Sequence, residues 1–108
     1  MSSEYKILWT QSARDDLMDI AKYIARDNID IALKKMTLIE EKVNSLRYFP
    51  MEGKNVPELE EYNEEEYKQI IVYPWRVIYS LKNDIVHILI VIDGRRDLQD
   101  ILYKKLMK

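Results

Sequence analysis

Trp75-Arg76-Val77-Ile78-Tyr79-Ser80-Leu81-Lys82-Asn83-Asp84-Ile85-Val86-His87-Ile88-Leu89-Ile90-Val91-Ile92 is the stretch whose reading decides the fold. β-branched and aromatic residues run from Trp75 to Lys82 and again from Ile85 to Ile92, and such side chains pack well on a pleated surface. Asn83 and Asp84 both tolerate left-handed backbone, so they predict a two-residue hairpin turn. The second run is almost wholly apolar, which predicts a central strand buried on both faces. In the first run Arg76 shares a face with Ile78 and Ser80, while Trp75, Val77, Tyr79 and Leu81 take the opposite face. The latter set is the expected core face, so Arg76 is expected to project from the other, open one.

Upstream, Tyr67 to Tyr73 reads as a further strand and Pro74 as a tight turn. Residues 54–66 form an acidic connection, in which glutamates this dense predict a solvated, mobile loop. Before it the period is helical. Ala32, Met36, Ile39, Val43 and Leu46 form one stripe, from a start at Asn28 to Asp30, and Phe49-Pro50-Met51-Glu52-Gly53 ends that helix. Ala13, Leu17, Ile20, Ala21 and Ile24 form another, with Thr10 or Ser12 as N-cap and an end near Asp27-Asn28. The short break between the two predicts antiparallel neighbours. Tyr5 to Trp9 reads as a first short strand, and Asp97 as the cap of a last helix carrying Leu98, Ile101, Leu102 and Leu106. The expected fold is α+β over a single domain, 1–108: an N-terminal strand, an antiparallel helical hairpin on a mostly antiparallel four-stranded sheet, and a short C-terminal helix.

The chain has no cysteine and one histidine, which removes disulfides, thiolate metal sites and histidine metal clusters. No cofactor or metal is expected, and neither is membrane insertion, because no apolar run is long enough to span a bilayer. The opening Met1-Ser2-Ser3-Glu4-Tyr5-Lys6 lacks the pattern of a secretory signal, so the cytoplasm is the expected compartment. The net charge of −2 hides an asymmetry: residues 1–66 sum to −6 and residues 67–108 to +4. A negative partner is steered toward the C-terminal part.

Three arginines stand out there. Arg76 lies in the middle of one strand, and Arg95 and Arg96 follow the end of the next. An unpaired buried guanidinium is costly, so these residues either face a partner or are held by carboxylates within the fold. Arginine forks suit phosphate or carboxylate recognition, because they make two parallel charge-assisted bonds. The internal alternative is ion pairing with Asp93, Asp97 or the acidic connection. Metal-free RNA cleavage would need a base, cations for the phosphorane charge and an acid. Its candidates are Lys68 or His87, then Arg76 with Arg95 or Arg96, and Tyr103.

Several pieces in fixed order carry a resemblance. They are Trp9-Thr10-x-x-Ala13-x-x-Asp16-Leu17-x-x-Ile20-x-x-Tyr23-Ile24-Ala25, then Ala32, then Leu46-x-x-Phe49-Pro50-x-x-Gly53-Lys54-x-Val56-Pro57-Glu58-Leu59. Tyr73-x-x-Arg76-Val77-Ile78-Tyr79 and Gly94-Arg95-Arg96-Asp97-Leu98 complete them. The chain resembles the RelE/ParE superfamily of toxins, often called plasmid stabilisation proteins, and is nearer the ParE-like branch. That resemblance implies a type II toxin–antitoxin module, a cognate antitoxin as partner, and a homodimer or a toxin–antitoxin hetero-oligomer. Superfamily members either poison DNA gyrase by binding or cut mRNA on the ribosome. For a binder, Arg76, Arg95, Arg96 and Lys68 are the implied target or antitoxin contacts. For a RelE-like endonuclease, Arg76, Arg96, Lys68 and Tyr103 are the implied catalytic set. The strand before Arg76 carries only Lys68 where RelE-like nucleases cluster basic residues, and Asp93 stands where close relatives carry histidine. The reading is therefore a gyrase-directed binder, with a ribosome-dependent endonuclease second and a non-toxic antitoxin-binding remnant third.

Overall fold

The computed structural model of the chain describes residues 4–60 and 66–106. β1 (Lys6–Trp9) leads into α1 (Gln11–Ala25), α2 (Ile29–Asn44) and a 3-10 turn at Ser45–Arg47. A two-residue strand β2 (Lys54–Asn55) and a second 3-10 turn, Pro57–Leu59, follow. β3 (Glu66–Val72), β4 (Trp75–Lys82), β5 (Ile85–Asp93) and α3 (Leu98–Leu106) complete the chain. Local chemistry sets the boundaries. The Thr10 hydroxyl accepts from the Ala13 amide and the Asn28 side chain from the Ile31 amide, so each caps a helix start whose N–H groups otherwise lack partners. Asn83 and Asp84 turn the β4–β5 hairpin with φ of 53° and 62°. The Tyr73–Pro74 peptide bond, between β3 and β4, is cis.

Among the described residues the sheet has five strands in the order β1-β5-β4-β3-β2, where four were expected. The extra strand comes from the connection itself: Lys54 and Asn55 pair antiparallel with Gln69 and Lys68. The sheet is mixed, because β1 runs parallel to β5 while the other pairs are antiparallel.

Two cores sandwich the sheet. On one face Ala13, Ile39, Val43 and Leu46 of the helical segment pack on Val72, Trp75, Val77, Tyr79, Val86, Ile88 and Val91. On the other, Val56 and Leu59 pack on Ile78, Ile90 and Ile92, with Ile101 of α3 beside them. The second face is therefore covered in large part, which corrects the expectation of an open one. A bulge sets which β5 side chains meet which core. Ile78 pairs with Ile90 but Tyr79 pairs with Ile88, so Leu89 is an extra residue on β5. That insertion reverses the strand's alternation: Val86 and Ile88 face the helices before it, Ile90 and Ile92 the second core after it.

The connection is also more ordered than expected. Val56 and Leu59 are buried, and they fix the Pro57–Leu59 turn against the sheet. The acidic residues 61–65 lie outside the described residues, so the mobile loop expected there is not addressed by the structure.

Candidate functional site

Arg76 sits opposite Ile71 in the β3–β4 ladder, on the second-core face. Its fork is closed from within: Nη1 and Nη2 donate to the two Glu58 carboxylate oxygens, each at 2.9 Å. Nε donates to the Gln69 side-chain oxygen. The Arg76 side chain is only 12% exposed and Glu58 23%. Gly94 lies against the arginine's stem; a Cβ there would stand 3.1 Å from Arg76 Cδ and 3.3 Å from the Pro74 carbonyl. The Gly94 amide donates to that carbonyl at 2.8 Å. Arg76 is thus a seated residue held by the acidic connection, not a projecting one.

Lys68 does not join it. Lys68 pairs with Tyr79 and Gln69 with Ile78, so Lys68 lies on the helix-covered face and Arg76 on the other. The lysine is buried, with Nζ 3.5 Å from Asn55 Oδ1 and 3.7 Å from Glu66 Oε1. Strand parity fixes this separation, so the structure does not bring Lys68 and Arg76 together. His87 faces Ser80, four positions along β4 from Arg76, which is about 13 Å of strand. Tyr103, on α3, is exposed and lines a cavity of about 360 Å³ with Glu58, Leu59, Asp97, Gln99 and Asp100. That puts Tyr103 near the Arg76–Glu58 pair but among carboxylates.

Arg95 and Arg96 lie at the end of β5. Arg95 donates from Nη2 to Asp93 at 2.7 Å and from Nε at 3.0 Å, and its amide donates to the same carboxylate at 2.9 Å. These bonds hold the Asp93 carboxyl down at about 2. The same carboxylate raises the Arg95 guanidinium above its usual range. Arg96 is exposed, and among the described residues its side chain makes no ion pair. Tyr23 and Tyr73 are within electrostatic reach of Arg95 and are 71% and 76% exposed. A groove of about 680 Å³ opens beside them, with Tyr23, Asp16 and Asp19 on the α1 wall, Trp75 inside and Arg95 and Arg96 at its end. Asp16 accepts from the Val91 amide at 3.1 Å, at the part of β5 that extends past its pairing with β1.

Two charged regions therefore stand apart in chemistry: a sealed pair, Arg76 with Glu58, and an open arginine–tyrosine rim. Sequence reasoning offered the acidic connection as an internal partner for the arginines but singled out neither Glu58 within it nor Gln69, Tyr23 or Tyr73. A signal for Glu58 existed, since it lies between Val56 and Leu59, two apolar residues spaced to anchor a turn. Tyr23 and Tyr73 stand in the motifs that carry the family resemblance, but nothing in their spacing marked them as site residues.

Residues 7–98 match the ParE toxins of type II toxin–antitoxin systems, and the chain belongs to that family. Among solved structures it is similar to the chromosomal ParDE system of P. aeruginosa, with 24% identity over 85% of this chain and 98% of that one and a TM-score of 0.67. It is also similar to the RelBE2 toxin–antitoxin complex of Mycobacterium tuberculosis, with 20% identity over 83% of this chain and 91% of that one and a TM-score of 0.56. No curated protein matches the chain. Among the described residues no helix is long and apolar enough to cross a membrane.

Proposed function

We propose that this toxin arrests growth by binding a cellular protein, with DNA gyrase as the target, and that a cognate antitoxin neutralises it in a hetero-oligomer. The observation that carries this reading is the separation of the cationic residues. The Arg76 fork is filled by Glu58, and Lys68 lies across the sheet from it. An RNA-cleaving set would need these groups convergent on one phosphate, within hydrogen-bond reach of the atoms they serve. What the molecule presents outward is Tyr73 and, around a groove holding Trp75, Tyr23, Arg95 and Arg96. Tyrosine, tryptophan and arginine dominate the energetic centres of protein interfaces. An antitoxin partner is supported by the family and by the two similar structures, both of toxin–antitoxin systems.

The test is supercoiling by purified gyrase with the toxin in molar excess. Loss of supercoiling, or accumulation of cleaved DNA, is the expected result. Unchanged supercoiling with no cleaved DNA would remove gyrase as the target.

A further inference from the structure

The Glu58 carboxylate occupies the position that an incoming oxyanion would take on Arg76. The bond pair is bidentate, at 2.9 Å on both arms, which is the geometry an arginine uses to hold a carboxylate or a phosphate. Gln69 takes the Nε donor, so the fork faces Glu58 with little freedom. Glu58 is equally fixed, because Val56 and Leu59 on either side of it are buried in the second core and Pro57 opens the turn. Around it the surface is acidic. Asp97 and Asp100 line the same cavity as Glu58, and Lys104 offsets only Asp100, at 3.2 Å.

We propose that Glu58 is a specificity-determining mask: it fills the Arg76 fork as an internal oxyanion and, with Asp97 beside it, bars phosphate-bearing nucleic acid from this face of the sheet. Discrimination between partners often rests on a repulsive element as much as on an attractive one, and like-charge contact is such an element. The mask deepens the protein-target reading, on which it rests, by assigning the residue that closes the face to RNA. A phosphate reaching Arg76 would have to displace a carboxylate already bound through two charge-assisted bonds.

Binding of a short fluorescein-labelled single-stranded RNA, read by anisotropy at low salt, tests this. Glu58→Gln keeps the side chain's length and one acceptor but removes its charge, so Kd is expected to fall by about ten-fold relative to wild type. Adding Arg76→Gln to that variant should return Kd to the wild-type value. A folded Glu58→Gln that binds RNA no better than wild type overturns the mask, and so does a gain that survives in the double variant. A measurement on the wild-type protein makes the outcome independent of how the variants fold. On titration with inorganic phosphate, the NMR signal of the Arg96 Nε–H should shift while that of Arg76 stays in place. An Arg76 signal that moves at the same phosphate concentration also overturns the proposal. These readouts involve no gyrase, so a negative supercoiling assay would remove the target reading and leave the mask to be judged on its own data.

Discussion

Tyr79 is fully buried, and its hydroxyl donates to the Pro50 carbonyl at 2.8 Å and accepts from the Gly53 amide at 3.0 Å. Burial pushes its ionisation up to about 12, partly countered by the Gly53 bond. A group whose native pKa is raised favours the folded state fully below the unfolded value, near 10, and loses that contribution as pH rises toward 12. Alkaline unfolding should therefore steepen between those values, and Tyr79→Phe should flatten it while costing about 1–3 kcal/mol at neutral pH for the two backbone groups it strands. Gly53 is tied to the same contact. A Cβ there would meet the Tyr79 hydroxyl and stand 2.7 Å from the Gln69 carbonyl, so Gly53→Ala should lower stability by about 2–4 kcal/mol in chemical denaturation. Asp93 works in the opposite pH direction. Its carboxyl is held at about 2 by Arg95, so its contribution is present above the unfolded value near 4 and is lost as pH falls through 2. Replacing Arg95 with Gln should raise the Asp93 value measured by NMR toward the usual carboxylate range. The Asp93–Arg95 pair is among the internal pairings the sequence offers, because the two residues are neighbours in the chain, whereas the Tyr79 and Gly53 contacts join residues distant in the chain and left no signal.

At the scale of elements, most of the fold was legible. The helical stripes, the choice of Thr10 or Ser12 as first cap, the second helix's start at Asn28 to Asp30 and the Asn83–Asp84 hairpin follow from local periodicity and turn chemistry, and the structure has Thr10 as the cap and the second helix from Ile29. The turn carries a checkable cost. Both residues have positive φ, so Asp84→Gly should be tolerated, while Asp84→Val should cost about 1–2 kcal/mol in thermal or denaturant unfolding. Two elements were not legible. β2 is only two residues long, too short for any period to register, and it exists because β3 offers it an edge. The bulge at Leu89 hides inside an unbroken apolar run, where alternation carries no information about which side chain faces which core. Arg76 was placed on the correct face by strand phase, but what covers that face depended on Val56 and Leu59, which lie in a stretch whose glutamates dominate its composition.

At the scale of the whole molecule, the charge asymmetry takes a spatial form that the sequence concealed. Glu58 of the acidic connection pairs with Arg76 and Glu66 with Lys68, so two of the four excess positive charges of residues 67–108 meet carboxylates of the acidic part, while Asp93 holds Arg95 within the C-terminal part. Arg96 is exposed, makes no ion pair among the described residues, and lies with Tyr23 on the groove around Trp75. The molecule therefore has a closed face around Arg76 and an open rim around Arg96, the rim being the proposed target surface. Growth after induction without antitoxin separates the two most directly. Tyr23→Ser with Arg96→Glu should restore growth, while Glu58→Gln with Arg76→Gln, which empties the sealed pair of charge, should still arrest it. Growth restored by the Glu58/Arg76 variant and continued arrest by the Tyr23/Arg96 variant, with both proteins folded, would contradict the account.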